Sequence, residues 1–97
     1  MAAQGVAKLI EEMGELNQVL GKKLAYWYTD DHPDGKSIND RLIEEIGDVL
    51  AALALVEIAL DLDTLAIDER MASKVKLFFE WYYAKDNNTE GIDRENA

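Results

Sequence analysis

The sequence of 97 residues contains no cysteine, one proline and one histidine. Without cysteine the chain can form neither disulfide bonds nor thiolate zinc sites, and it offers no cysteine nucleophile. The single histidine, His32, excludes the two Glu-x-x-His motifs of ferritin-like di-iron bundles. The absence of cysteine also fits a reducing compartment, which makes a cytoplasmic protein our expectation.

Positive charge is scarce, with 10 Lys and Arg against 20 Asp and Glu and a net charge of −10. A charge of this sign repels a phosphate backbone, so we expect no nucleic-acid polymer as a partner. An acidic protein can still bind phosphates through a metal ion.

Long hydrophobic runs are also missing. The most apolar stretch, 49–60, has twelve residues and is interrupted by Glu57, whereas a helix needs about 20 to cross a bilayer. We therefore predict a buried helix here and no membrane partner. The first five residues lack the basic stretch and apolar run of a secretion signal, which agrees with a cytoplasmic location.

Apolar residues in the first segment recur at steps of three and four, which places them on one helical face. They are Val6, Leu9, Met13, Leu16, Leu20, Leu24 and Trp27. The pattern predicts a helix over about 3–28. Turn-forming residues and Pro33 then predict a loop over 29–36.

Two more helices follow. Ser37 with Asp40 resembles a capping box, and the apolar spacing continues from Ile38 to Leu60. Polar residues at 61–64 predict the start of a third helix, which should end near Lys85. Residues 86–97 show no periodicity and are expected to form a flexible tail. The sequence thus predicts one all-α domain over 1–97.

The second helix is apolar around almost its whole circumference after Val49. Three helices of this length bury only about 60–65% of the surface that is exposed on unfolding, so a monomer is poorly covered. We predict a homodimer or homotetramer in which antiparallel helices of two chains complete four-helix bundles.

An acidic motif occurs twice. Residues 11–16 and 44–49 both read Glu-Glu-apolar-Gly-acid-apolar. Helical spacing puts Glu12 with Glu15 on one flank, and Glu45 with Asp48 on another. If the two helices pack together, four carboxylates converge. Since their repulsion calls for a cation or protonation, the oxygen-only ligands favour Mg²⁺, with Mn²⁺ as a substitute.

Each motif contains a glycine inside a strong helix, Gly14 or Gly47. Each costs about 0.5–1 kcal/mol relative to alanine. We interpret these glycines as sites of close approach by another backbone, a metal-bound water or a substrate. A single Glu-x-x-Glu motif is usually a solvated face, but a matched pair on successive helices favours a functional site.

The paired motif resembles that of the MazG-type all-α nucleoside triphosphate pyrophosphohydrolases, over residues 6–76. Their superfamily includes dimeric dUTPases and phosphoribosyl-ATP pyrophosphohydrolases. The resemblance implies Mg²⁺-dependent cleavage of a nucleotide to its monophosphate and pyrophosphate, often of surplus deoxynucleotides. It implies that the metal ligands and catalytic residues are Glu12, Glu15, Glu45 and Asp48. Glu11 matches the leading acid of the motif.

The sequence departs from this family in two places. Ala52 stands where a Tyr or Asn is often found, so contacts to the base or sugar must differ. Near the end of the third helix only Lys74 and Lys76 are offered as phosphate contacts. An ordinary surface role is an equal alternative for both.

Three further residues are candidates for substrate binding. Lys22 and Lys23 follow the first motif by two turns and are candidate phosphate contacts or surface charges. Trp27 offers a ring to a nucleobase or to the core. The aromatic run 78–83 is expected to pack against another subunit.

Two functions remain open at this point. The first is the Mg²⁺-dependent pyrophosphohydrolase, and the second is a non-catalytic acidic helical module that binds a nucleotide or a protein.

Overall fold

A computed structural model describes residues 2–29, 35 and 37–88. These residues form three α-helices: α1 (Ala2–Ala25), α2 (Ile38–Ala59) and α3 (Thr64–Asn88). No β-strand occurs in the described part of the chain, which confirms the all-α prediction. Within the same residues, none of the helices combines the length and the apolar character that crossing a bilayer requires.

The predicted caps of α2 and α3 are present. The Ser37 hydroxyl accepts a hydrogen bond from the backbone N–H of Asp40 at 3.1 Å. Asp63 does the same for α3, because its Oδ1 accepts from the N–H of Ala66 at 3.0 Å. Both bonds satisfy a backbone donor that has no partner inside its helix.

The end of α2 is a Schellman motif. The N–H of Leu62 donates to the carbonyl of Glu57 at 3.0 Å, and the N–H of Asp61 donates to that of Ile58 at 3.2 Å. Asp61 has φ 52°, in the left-handed region that this motif requires. Glycine is the usual residue there, but Asp tolerates this conformation better than most side chains do.

Two helix ends differ from the sequence prediction. α1 ends at Ala25 rather than Tyr28, and 26–28 form a turn in which the N–H of Thr29 donates to the carbonyl of Tyr26. α3 continues to Asn88, past the predicted Lys85. A helix can continue beyond its last apolar residue, because its backbone bonds do not depend on apolar periodicity. The expected tail beyond 88 and His32 lie outside the described residues.

The chain divides into two compact units, Met1–Leu62 and Asp63–Ala97. In the first unit α1 and α2 form an antiparallel hairpin. The beginning of α1 lies on the end of α2, since a Cβ at Gly5 would be 3.6 Å from Leu55 Cγ and 3.7 Å from Ala59 Cβ. The single-domain organisation over 1–97 stays a prediction.

The line of α1 that faces α2 contains Gly5, Glu12 and Val19, all buried and seven residues apart. Ile38 and Ala52 are the buried residues of α2. This contact line is rotated by roughly 60–80° from the apolar stripe that the sequence shows on each helix. Packing of α1 on α2 therefore leaves part of both stripes uncovered.

The uncovered part forms what we call the outer apolar face. Its members are apolar, are between 39% and 74% exposed, and come from both helices: Met13, Leu20, Leu24, Ile46 and Leu53. In an antiparallel hairpin their angular positions put both sets on the same side. Glu15 and Asp48 lie at the opposite edge of the helix contact.

The second unit contains α3, whose aromatic residues surround the helix rather than forming one stripe. Phe79, Trp81, Tyr82 and Tyr83 are each 58–59% exposed. The ring of Tyr83 makes edge-to-face contacts with Phe79, with centroids 6.1 Å apart, and with Tyr82 at 5.3 Å. The predicted packing of this run against another subunit stays a prediction.

Candidate metal centre

The two acidic motifs meet across the hairpin. Carboxylate oxygens of Glu12, Glu45 and Asp48 lie within 4.8 Å of one another. A second group, Glu11, Glu12 and Glu15, satisfies the same limit. Glu12 belongs to both groups, so the structure links all four of the predicted ligands through one residue.

Glu12 is the buried centre of this arrangement and is only 7% exposed. Its Oε1 is buried without a hydrogen-bond partner among the described residues, as is Oε2 of Glu45. A buried carboxylate oxygen without a donor costs folding free energy, because it has lost water and gained nothing in exchange. Both oxygens therefore have lone pairs that can coordinate a cation.

Repulsion and desolvation in the cluster raise the pKa values of two of its members, Glu15 and Glu45. The Glu12 carboxylate raises the pKa of Glu15 above its ordinary value of 4.5, with desolvation and Glu45 acting in the same direction. Desolvation raises the pKa of Glu45, and the nearby charges of Asp48 and Glu12 add to this effect. The positive charge of Arg41 lowers the pKa of Glu45 but does not outweigh these effects. The folded chain thus keeps carboxylates where their charged forms are disfavoured.

Lys8 is part of the centre, although the sequence reasoning did not select it. Its Nζ lies 2.7 Å from Glu11 Oε1 and 3.1 Å from Glu12 Oε2. These two carboxylates raise the pKa of the Lys8 ammonium well above its ordinary value. The spacing of three and four residues from Lys8 to the acids is the signal that could have found it.

An open groove of about 380 Å³ leads away from the acids. Lys8, Glu12 and Asp48 line its charged part, and Ala51, Ala52 and Leu55 line the remainder. The small side chain of Ala52 thus forms part of a groove wall, at the position where the resemblance implies a larger polar residue. The groove is charged at the acid cluster and apolar beyond it.

The donor set fits a hard divalent cation. All of its ligand atoms are carboxylate oxygens, they come from two neighbouring helices, and two of them are buried without partners among the described residues. Mg²⁺ and Mn²⁺ prefer such oxygen donors. Glu12, Glu45 and Asp48 would hold the ion, with Glu15 beside them.

The two motif glycines have no close neighbour. A Cβ placed at Gly14 or at Gly47 would meet no atom within 4 Å in the part of the chain that the structure describes. Packing among these residues therefore does not explain either glycine. Close approach by a second chain, a metal-bound water or a substrate stays a prediction.

The predicted substrate-binding residues lie away from the acid cluster or in the other unit. Lys22 and Lys23 are in the last turn of α1, about 10 Å along the helix from Glu15. Lys23 Nζ lies 5.7 Å from the centroid of the Trp27 ring, and Trp27 is 58% exposed rather than part of the core.

The remaining two candidates, Lys74 and Lys76, are on α3 in the second unit. Lys74 Nζ lies 5.8 Å from the centroid of the Phe78 ring. The phosphate contacts assigned to both lysines stay predictions.

The fold and the centre together define an all-α protein with a carboxylate cluster between two antiparallel helices. No protein-family model matches this chain, and no curated protein and no solved structure matches it. The resemblance to the MazG-type enzymes therefore stays a prediction that depends on the paired acidic motif.

The raised pKa values predict a pH-dependent stability. Glu15 and Glu45 bind protons more readily in the folded chain than in the unfolded chain, where their pKa is near 4.5. Stability should therefore fall as pH rises from about 4.5 through the raised folded values. Replacing both residues by Gln should remove this contribution, so the variant should be the more stable protein at neutral pH. The difference in stability between the variant and the wild type should vanish toward pH 4.5.

Urea unfolding of both proteins without divalent ions, over this pH range, measures the difference. A wild-type protein that loses no stability relative to the variant as pH rises would show that the two carboxylates do not repel their neighbours.

Proposed function

We propose that this protein is a nucleoside triphosphate pyrophosphohydrolase that depends on Mg²⁺ or Mn²⁺ and releases a nucleoside monophosphate and pyrophosphate. The supporting observation is the convergence of Glu12, Glu45 and Asp48 from two helices, with buried carboxylate oxygens that have no donor among the described residues. Such a cluster is costly to fold, which favours a functional reason for it.

We assign cation binding and proton transfer to different carboxylates of the cluster. Glu12, Glu45 and Asp48 hold the cation, which when bound neutralises the triphosphate and the charge that develops on the leaving pyrophosphate. Glu15 is the carboxylate that we assign to accept the proton of the attacking water. It adjoins Glu12, it is exposed, and it lies outside the group of three carboxylates that we assign to the cation.

The substrate is a small anionic nucleotide rather than a nucleic acid. With a net charge of −10, the protein attracts phosphates only where a cation or a lysine overrides the general repulsion. The apolar part of the groove, Ala51 and Leu55, suits the uncharged part of a nucleotide. The preference for deoxynucleotides and a role in removing surplus nucleotides are what the resemblance implies.

We further propose that two chains associate through the outer apolar face and form a four-helix bundle. Among the described residues of the first unit, the buried apolar side chains are those of Val19, Ile38 and Ala52. Two antiparallel helices cannot cover each other fully, whereas a second hairpin on the same face supplies the missing layer. A homotetramer would be two such dimers.

The assay that tests this function measures both products. Ribo- and deoxynucleoside triphosphates are incubated with the protein and Mg²⁺, with Mn²⁺, or with EDTA, and the products are separated by ion-exchange chromatography. We expect monophosphate and pyrophosphate in equal amounts with either cation, and no turnover with EDTA. Diphosphate and inorganic phosphate as products would contradict the proposed reaction.

Binding of nucleotide without any turnover across the panel would support the second function, the non-catalytic module. In that case Gln or Asn at the four acids should leave binding intact.

A further inference from the structure

Lys8 occupies an unusual position for a surface lysine. Its ammonium contacts two carboxylates, and one of them, Glu12, has a side chain that is only 9% exposed. Lys8 itself is 54% exposed and lines the groove beside Glu12 and Asp48. It is thus anchored to the acid cluster and still open to solvent and to anything that enters the groove.

The pairing of Lys8 with Glu12 covers only one side of the carboxylate. Lys8 contacts Oε2, whereas Oε1 is the buried oxygen without a partner. A cation can therefore bind at the Oε1 side while Lys8 is present. Because the cation and the Lys8 ammonium both carry positive charge, a bound cation weakens the attraction between Glu12 and Lys8.

Lysine is suited to respond to that change. Its charge sits at the end of a flexible four-carbon stem and binds phosphate as a point charge, without the fixed geometry of arginine. A triphosphate on the cation brings negative charge into the groove that Lys8 lines. Among the lysines of the first unit's described residues, Lys22 and Lys23 lie about 21 Å further along α1 than Lys8 does.

Building on the proposed function, we propose that Lys8 changes partners during binding. Before the cation binds, its ammonium neutralises Glu11 and Glu12 and holds their side chains in place. After the cation binds, the ammonium contacts a phosphate of the nucleotide. Lys8 therefore opposes binding of the free cation and favours binding of the cation–nucleotide complex.

The test measures these two opposite effects in a Lys8→Met variant. Calorimetric titration with Mn²⁺ alone should show about 3- to 10-fold tighter binding than in the wild type, because a competing positive charge is gone. Titration with the Mn²⁺ complex of a triphosphate analogue that has a methylene bridge between the α and β phosphates should show about 5- to 20-fold weaker binding.

Two further variants make the result specific. Lys8→Arg keeps the charge and should restore nucleotide binding to within about threefold of the wild type. Arg70→Met removes one exposed positive charge from α3 and changes the net charge equally, so it should alter neither affinity. Circular dichroism checks that each variant is helical. Lys8→Gln repeats the measurement if Lys8→Met fails to fold.

The outcomes separate this proposal from the function on which it depends. Weaker Mn²⁺ binding in Lys8→Met with unchanged nucleotide binding would mean an ordinary structural ion pair and would overturn the proposal. An active wild type with unchanged affinities in Lys8→Met would overturn the role of Lys8 alone. A wild type that binds no Mn²⁺ would overturn the metal centre itself.

Discussion

Replacing Glu45 by Gln or Asp48 by Asn is expected to lower the rate of Mg²⁺-dependent pyrophosphate release by at least about 100-fold. Each substitution keeps the size and shape of the side chain but removes a negative charge from the group formed with Glu12. The remaining carboxylates bind a divalent cation more weakly, and the triphosphate loses the charge that holds it. Glu12→Gln should have the largest effect, because Glu12 belongs to both carboxylate groups.

Glu45→Gln and Asp48→Asn should be more stable than the wild type when no divalent cation is present. Glu45 is desolvated and lies near the charges of Asp48 and Glu12, so an uncharged Gln relieves a real repulsion. Adding Mg²⁺ should make the wild type more stable than the variants. At 100 times its dissociation constant, the cation stabilises the wild type by about 2.7 kcal/mol and the variants by much less.

Glu44→Gln is the matched control for this prediction. Glu44 neighbours Glu45 and loses the same charge, but it lies outside both carboxylate groups. Its activity should stay within about twofold of the wild type. Steady-state pyrophosphate release and thermal unfolding with and without Mg²⁺ provide the data. Wild-type rates in Glu45→Gln and Asp48→Asn would refute the assignment of the centre.

Ile46→Glu is expected to abolish self-association. Ile46 is 46% exposed in the single chain and belongs to the outer apolar face, together with Leu53 of the same helix. In a four-helix bundle of two hairpins this position is buried, and an unpaired carboxylate there costs several kcal/mol. The first unit has little core of its own, so we expect the separated chains to unfold at a lower temperature as well.

Ile58→Glu is the corresponding control. It makes the same change on the same helix, but Ile58 is 78% exposed and lies outside the outer apolar face. Light scattering coupled to size-exclusion chromatography gives the mass of each species. We expect a dimer or a larger oligomer for the wild type and for Ile58→Glu, and a monomer for Ile46→Glu. Equal masses for all three would show that another surface mediates association, or that the chain is monomeric.

Much of the local structure was predictable because it depends on residues that are close in sequence. Ser37 and Asp63 cap their helices through bonds to the third residue that follows, and this distance can be recognised in the sequence. The end of α1 was predicted three residues too late, because apolar spacing does not by itself show where the backbone leaves the helix. The apolar stripe continues to Trp27, although the backbone has already left the helix at Ala25.

The candidate centre was predictable in its members but not in its geometry. The repeated motif identified Glu12, Glu15, Glu45 and Asp48, because equal spacing on two helices is visible in the sequence. The sequence did not reveal that Glu12 is buried. This depends on how far each helix is rotated about its own axis, which neighbouring residues do not determine. The pairing of Lys8 with Glu12 is a contact within one helix, and its spacing of four residues is visible in the sequence.

The sequence by itself determined three helices, their caps and a pair of matching acidic motifs, since each is a matter of short-range spacing along one segment. Only the tertiary structure decided that Glu12 faces Glu45 and Asp48 and that Met13 and Ile46 remain outside. The physical reason is that each helix carries a broad apolar stripe, and several rotations would bury part of it. The packing of α1 against α2, in which the facing acids lie more than thirty residues apart in the sequence, selects one of them.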